Sequence, residues 1–149
     1  MLHFRKRFPG KSMSVRHARR EVMGFATLCG FSRSACLDIE SAVGEACANA
    51  VEHGYTRKRG FCVACGFDQG VLSVEVRDFH AGPPWSAESK ASHVGAVKSE
   101  GGLGLLMINA LTDEWHLRPA DRGGSILTFR IGQEDSKAGA LPSTLHARG

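Results

Sequence analysis

The order of the predicted secondary-structure elements indicates an α+β fold, a two-layer sandwich whose mainly antiparallel mixed sheet carries helices on one face. Two observations lead to this fold class. The strand-like segments come in neighbouring pairs joined by short turns, as in hairpins, rather than alternating singly with helices. Two segments with helical spacing of apolar residues also follow each other directly near the start of the chain. The length of 149 residues, with 42% hydrophobic and 23% charged residues, fits one globular domain.

The first half of the sequence predicts one strand and then two helices. Residues 2–8 are compatible with a β-strand, and Pro9-Gly10 ends it. Serines that can cap a helix precede two apolar-periodic segments, at about 12–29 and 32–54. Each segment finishes at a glycine, which is the usual stop signal of a helix.

The second half predicts two hairpins that flank a third helix. The first pair of strands is joined by the turn Asp68-Gln69-Gly70. The predicted elements are strands at 61–67 and 71–77, a helix at 103–111, and strands at 114–118 and 125–131.

Two segments have no periodicity. Residues 79–100 are rich in Gly, Pro, Ser, Ala and His, and a loop of this length in a compact domain is typically a lid or a binding loop. Residues 132–149 are rich in Gly, Ser, Pro and Ala, so we expect a domain at 1–131 followed by a flexible C-terminal tail at 132–149.

The charge and hydropathy of the sequence limit the classes of partner that the protein could bind. The net charge of +4 fits an acidic partner or a polyphosphate ligand. Short basic clusters, such as residues 5–7, come without any nucleic-acid-binding motif, so we expect a solvated basic face and no direct nucleic-acid binding. No apolar run approaches the 18 residues of a membrane span, so no membrane partner is expected.

The five cysteines are an odd number and fit no secreted disulfide framework, which favours a reducing, cytoplasmic compartment. Cys62 and Cys65 form a C-x-x-C, but they lie in a predicted strand, where positions three apart point to opposite faces. We therefore predict buried core thiols rather than a zinc site.

The second helix carries a polar stripe beside its apolar one. Glu45 and Asn49 are four residues apart, and His53 continues the same side. Asparagine is a poor helix former but a good oxygen ligand for a metal ion. The alternative is a solvated helix face with an incidental asparagine.

Asp78 directly follows a predicted strand and opens the long loop, with Gly82 four residues later. A carboxylate at a strand end can accept a hydrogen bond from an amino group such as that of adenine, and glycine lets the backbone approach a flat ring. The alternative is an ordinary turn after a strand.

Glycines then lead directly into the third helix, at positions 101, 102 and 104. The free backbone N–H groups at a helix start, exposed by glycines, suit phosphate. The pattern is neither a P-loop, since no Lys-Ser/Thr follows, nor a Rossmann fingerprint, since a long loop precedes it.

Taken together, these motifs resemble the ATP-binding domain superfamily shared by gyrase, Hsp90, histidine kinases and the MutL repair proteins, and especially the small bacterial anti-sigma-factor serine/threonine kinases. The resemblance covers about residues 2–131 and implies the Bergerat-type ATP-binding fold. The matching residues are Glu45, Asn49, His53, Gly54 and Tyr55, then Asp78 and Gly82, then Gly102, Leu103, Gly104 and Leu105, then Leu111 and Asp113, and finally Gly124 and Ser125.

The resemblance implies a role for each site residue. Asn49 would bind Mg²⁺ on the phosphates of ATP, Asp78 would read the adenine amino group beside Ser125, and Glu45 would act as the general base. The remaining residues that it assigns to ATP binding are His53, Gly82, Gly101, Gly102 and Gly104.

In the resembled kinases the phosphate goes to a serine or threonine of an anti-anti-sigma protein, which makes such a protein, and a sigma factor, the implied partners of a homodimer. The alternative is a non-catalytic ATP-binding module that acts by binding its partner. Three departures from the family pattern keep this alternative open, namely His80, Glu100 and Leu103. A histidine-kinase catalytic domain is disfavoured, because no phospho-acceptor helix pair is recognisable.

Overall fold

The computed structural model describes residues 1–53, 59–79 and 102–134. The elements, in chain order, are β1 (Leu2–Phe8), α1 (Ser12–Leu28), α2 (Arg33–His53), β2 (Phe61–Asp68), β3 (Val71–Asp78), α3 (Gly102–Leu111), β4 (Glu114–Pro119) and β5 (Ser125–Gly132). The described strands form one sheet in the order β1-β2-β3-β5-β4, and every pairing between them is antiparallel. The predicted α+β sandwich is confirmed, and the described pairings include no parallel one.

Alternation along the strands gives the sheet two different faces. In β3 the residues Leu72, Val74, Val76 and Asp78 are buried, whereas the residues between them are only half-buried. The three apolar residues of this set belong to the hydrophobic core that the helices also enter. One face of the sheet therefore packs against the helices, and we call the other one the open face.

Helix α2 is the centre of the helical layer, since it packs against α1, α3, β2 and β3. Small residues dominate its buried surface, including Ala42, Ala46 and Ala50, which are at most 4% exposed. Their size allows neighbouring elements to approach closely. Because α2 packs against α3, the polar residues on that side of α2, Glu45 and Asn49, lie next to α3.

The predicted stop after the first helix is confirmed. Gly30 has φ of 88°, and its N–H and that of Phe31 bond to the carbonyls of Thr27 and Ala26. This is a Schellman-type ending, in which a left-handed glycine satisfies the last carbonyls of the helix. It turns the chain directly into α2.

All five cysteines are free thiols. Cys65 is buried in the core, whereas Cys62 is half-buried on the open face, so the predicted divergence of the C-x-x-C pair is confirmed. Burial raises the pKa of the Cys65 thiol to about 12, and burial also raises the pKa of Cys47.

No helix in residues 1–53, 59–79 or 102–134 is both long and apolar enough to cross a lipid bilayer. Two of the sequence predictions concern segments that the structure describes only at their ends. The predicted lid at 79–100 and the predicted tail at 132–149 lie almost entirely outside the described residues, and both stay predictions.

Candidate functional site

The end of β3 and the start of β5 form one half of the candidate site. Asp78 is only 7% exposed, and its Oδ1 accepts the Ser125 backbone N–H at 3.0 Å. Its Oδ2 accepts the Ser125 hydroxyl at 2.7 Å. A buried carboxylate needs such charge-assisted bonds, and they fix the direction of both oxygens. Since a carboxylate has about four acceptor positions, Asp78 can accept a further hydrogen bond from a ligand.

Gly124 makes this arrangement possible. Its φ is 89°, and a Cβ built on it would lie 2.3 Å from the Asp78 carbonyl oxygen and 2.9 Å from Oδ1. Both the backbone conformation and the space exclude a side chain here. Sequence reasoning did not include Gly124 among the site residues, although the Gly123-Gly124 pair before Ser125 was a usable signal.

Helices α2 and α3 form the other half. Glu45 and Asn49 are half-buried on α2, and both face the first turn of α3. A Cβ built on Gly104 would lie 2.8 Å from Glu45 Oε2 and 3.7 Å from Asn49 Nδ2. The absence of a side chain at Gly104 is thus what allows the two polar side chains to lie against the start of α3.

The start of α3 also has the electrostatics that an anion needs. The helix begins at Gly102, and its first turn contains no acidic residue. Its unpaired backbone N–H groups and the positive end of the helix dipole favour a negatively charged group. Glu45 and Asn49 would then flank such a group from the α2 side.

Some of the predicted residues are beyond what the structure describes. Gly82 and Gly101 lie outside the described residues, as do His80 and Glu100. His53 is the last residue of α2 and Leu103 is in α3, but their side chains are not described. The predicted roles of all site residues stay predictions. In the structure, the described site residues lie in two separate groups of neighbours. The first contains Glu45, Asn49 and Gly104, and the second contains Asp78, Gly124 and Ser125.

In the described part of the chain no group of three or more His, Cys, Asp or Glu side chains could hold a metal ion by itself. Magnesium that accompanies a nucleotide needs no such group. It is usually bound by one or two protein oxygens, the phosphates and water. Asn49, whose side chain lies near the start of α3, carries an amide oxygen of the kind that this mode of binding uses.

Comparison with known proteins gives a family for this fold. The family model for the histidine kinase-like ATPase domain matches residues 8–131. A serine-protein kinase RsbW from Bacillus licheniformis is 31% identical over 121 residues, with 74% of each chain covered. Another RsbW, from Halalkalibacterium halodurans, is 29% identical over 135 residues and covers 85% of this chain and 82% of its own.

Two solved structures share the fold. The RsbU and RsbW domains of a Mycobacterium tuberculosis protein match 89% of this chain with a TM-score of 0.66 and 22% identity, and this chain covers 32% of that one. The SiaB–SiaC complex from Pseudomonas aeruginosa matches 88% of this chain, and 88% of its own, with a TM-score of 0.59 and 15% identity.

Proposed function

The chain belongs to the histidine kinase-like ATPase family, and on that premise we propose that it is an anti-sigma regulatory factor that transfers the γ-phosphate of ATP to a serine or threonine of an anti-anti-sigma partner. The observation that carries the proposal is that Glu45 and Asn49 both lie near Gly104, at 2.8 and 3.7 Å from where a Cβ of that residue would be. This placement brings a candidate base and a candidate metal ligand to the same phosphate-binding helix start. Relatives about 30% identical over most of the chain are named serine-protein kinases, which supports this reaction.

In the proposed complex, Asp78 recognises the adenine. Its carboxylate accepts the hydrogen bond of the exocyclic amino group, while Ser125 keeps the carboxylate in place. A guanine would present a carbonyl oxygen at that position, and two acceptors repel each other. The buried pair therefore supports ATP rather than GTP as the nucleotide.

The phosphates are held at the start of α3. Backbone N–H groups from Gly102 and Gly104 donate to them, together with Gly101 at the end of the preceding segment. Asn49 would hold the accompanying Mg²⁺ through its side-chain oxygen, and that ion would supply positive charge to the phosphates. His53 and Gly82 complete the proposed nucleotide contacts.

Glu45 is the proposed general base. Phosphoryl transfer depends mainly on positioning and on charge neutralisation, so the protein has to orient one hydroxyl and accept its proton. The Glu45 carboxylate lies against Gly104, close to where the terminal phosphate would be, and can accept the proton from the attacking serine hydroxyl. The oxygen of that hydroxyl then forms the new bond to phosphorus as the bond to ADP breaks.

The cellular setting of the proposed reaction is a cytoplasmic homodimer. It would bind its anti-anti-sigma partner as the phosphate acceptor and a sigma factor as the regulated protein. The five free thiols are compatible with a reducing compartment. Sedimentation of the purified chain with and without ATP measures the oligomeric part of this proposal.

Nucleotide binding is tested by thermal unfolding with and without saturating Mg-ATP. Binding to the folded state alone raises the melting temperature, and Asn49→Ala should remove the part of the rise that depends on Mg²⁺. Ser41→Ala, an exposed change on the same helix, is the matched control and should keep the full rise. An unchanged melting temperature for the wild type with Mg-ATP would contradict the nucleotide site.

Transfer is tested by single-turnover assays with labelled ATP and the anti-anti-sigma-like proteins of the same host. Removing a general base typically lowers the rate by about 10² to 10⁴-fold, so Glu45→Gln should bind ATP normally and transfer almost no phosphate. Glu40→Gln, a half-buried position earlier on α2, controls for loss of charge from this helix. Tight ATP binding by the wild type without any phosphoprotein would leave a non-catalytic ATP-binding module as the function.

A further inference from the structure

The open face of the sheet carries a row of arginines. Arg7, Cys62, Arg77, Ile126 and Arg118 are successive cross-strand partners from β1 to β4, so they lie side by side on this face. Three of these five residues are arginines. All the charged residues of this row therefore have the same sign.

A trough of about 540 Å³ runs across this face. Its charged lining comes from four elements of the chain: Arg5 of β1, Glu75 and Arg77 of β3, Arg118 of β4, and Asp121 and Arg122 of the turn between β4 and β5. The volume is within the range of ligand-binding clefts. Four guanidinium groups against two carboxylates make it a site for negatively charged groups.

The arginine in the middle of the trough lacks an acceptor. Arg77 Nε is buried, and within the described residues it has no hydrogen-bond partner. The Arg77 guanidinium lies 5.0 Å from the centre of the Phe79 ring, and that of Arg7 lies 4.5 Å from it. The ring thus holds both guanidinium groups by cation–π contacts. A buried donor without an acceptor is costly, and Arg77 also has no ion-pair partner in the described part of the chain.

Two of the other trough arginines are available as well. Arg118 and Arg122 are exposed, and neither forms an ion pair with any residue in the described part of the chain. Glu75 is compensated by Arg5, at 4.0 Å. The net charge that a ligand would meet in the trough is therefore positive.

Elsewhere on the open face, Glu114 is already paired. Glu114 lies 2.7 Å from His116 and 3.9 Å from Arg130. The hydrogen bond with His116 holds the pKa of Glu114 below its usual range. Glu114 is therefore not available to neutralise the arginines of the trough.

We propose that the trough binds an acidic, extended segment of a partner protein. It spans the sheet from β1 to β4, four strand spacings of about 4.8 Å, or about 19 Å in total. An extended chain of about six residues has this length. Carboxylates at alternate positions of such a segment would point to the same side and pair with successive guanidinium groups in bidentate fashion.

A nucleic acid fits the trough less well. Single-stranded nucleic acid needs exposed aromatic rings on which bases stack, and Phe79, the ring that the described residues place beside Arg77, already lies against Arg7 and Arg77. Glu75 and Asp121 would also repel a continuous phosphate backbone, whereas a protein segment can place a basic or neutral residue opposite them.

The trough is separate from the nucleotide site, because Arg77 and Asp78 point to opposite faces of β3. The inference therefore does not rest on the proposed kinase activity. The acidic segment should bind with the same affinity to wild type and to Asn49→Ala. If the wild type bound the peptide but did not bind Mg-ATP, the proposed function alone would be refuted.

The test uses the full chain and a fluorescein-labelled octapeptide of alternating glutamate and serine, followed by fluorescence anisotropy. We expect saturable binding that Arg118→Gln and Arg122→Gln each weaken about three- to fivefold, the upper part of the range for losing one exposed ion pair. Arg16→Gln, an exposed change on α1, should alter the affinity less than twofold. Circular dichroism checks that each variant is folded.

Other results would overturn the proposal. An equal loss with Arg16→Gln would mean attraction by net charge alone, and the absence of saturable binding would mean that the trough has no such ligand. Tighter binding of hexathymidylate, with the same dependence on Arg118, would identify a nucleic acid as the occupant. A concentration-dependent dimer in sedimentation that Arg118→Gln abolishes would identify a second copy of the chain.

Discussion

The Gly104→Ala substitution tests whether the start of α3 holds the Glu45 carboxylate in a reactive position. The new Cβ would lie 2.8 Å from Glu45 Oε2, about 0.6 Å closer than the 3.4 Å at which ordinary contact begins. The contact is with the far end of a flexible side chain, so the carboxylate moves and the helix backbone does not. Asn49 Nδ2 stays at an ordinary contact distance of 3.7 Å.

The structure therefore separates two effects of Gly104→Ala. Displacement of a catalytic group by about 1 Å can cost about 100-fold in rate, so we expect phosphate transfer to fall about tenfold to 100-fold. ATP affinity should change only a few-fold, since the metal ligand keeps its place. The fold should survive, because alanine is favoured over glycine within a helix by up to about 1 kcal/mol.

Single-turnover transfer and ATP titration on the same preparation measure both effects. Gly24→Ala is the matched control, since it is also a glycine in a helix and nothing lies within 4 Å of its Cβ position. Transfer at the wild-type rate in Gly104→Ala would refute the reasoning that the observed position of Glu45 is the reactive one. A parallel loss of ATP affinity would refute the separation of the two roles.

Three further outcomes follow from the same geometry. Gly124→Ala should lower the free energy of unfolding in urea by more than about 3 kcal/mol, because its φ of 89° and a Cβ 2.3 Å from the Asp78 carbonyl oxygen leave no room for the new side chain. Gly66→Ala, where nothing lies within 4 Å of the Cβ position, is the control, and equal urea midpoints for the two variants would contradict the prediction. Ser125→Ala should lower the free energy of unfolding by about 1.5–3 kcal/mol, because the hydrogen bond to the buried Asp78 carboxylate is lost, and it should also weaken ATP binding. Unchanged ATP affinity would mean that Asp78 and Ser125 are not part of the nucleotide site. Burial raises the pKa of the Cys65 thiol to about 12 from an ordinary 9.0, so between these pH values the free energy of unfolding should fall by about 1.4 kcal/mol per pH unit because of this thiol. Cys65→Ala should make this pH dependence less steep, and an equally steep dependence in the variant would contradict the raised pKa.

The element bounds were largely predictable because they depend on local patterns. The helix expected at 103–111 is observed at Gly102–Leu111, and the strand expected at 61–67 is observed at Phe61–Asp68. Apolar periodicity and glycine stops act within a few residues, so they can be recognised without knowing what packs where. The pairing of strands into hairpins was predictable for the same reason.

The candidate site was predictable only within each segment. Glu45 and Asn49 were recognisable because i, i+4 spacing places them on one side of a helix. Their contact with Gly104 depends on how α2 packs against α3, and the bonds between Asp78 and Ser125 join residues 47 positions apart. No local pattern encodes such distances.

The basic residues show the same limit. As a sequence, residues 5–7 form one basic cluster, but strand alternation separates them. Lys6 forms an ion pair with Glu21 of α1 at 2.7 Å, while Arg5 and Arg7 lie on the open face. The arginine row became visible only with the sheet order, which places β1 and β4 at opposite edges and β3 between them.

The sequence by itself determined the fold class, the order of the elements and the motifs that resemble an ATP-binding kinase, because propensity, periodicity and spacing are properties of neighbouring residues. Only the tertiary structure decided what those residues touch. Gly124 as a requirement of the Asp78 pair, Gly104 as the neighbour of Glu45, and the arginine-lined trough all arise from close packing between segments distant in sequence. Packing of that kind is set by the shape of the whole core, in which each contact depends on every other.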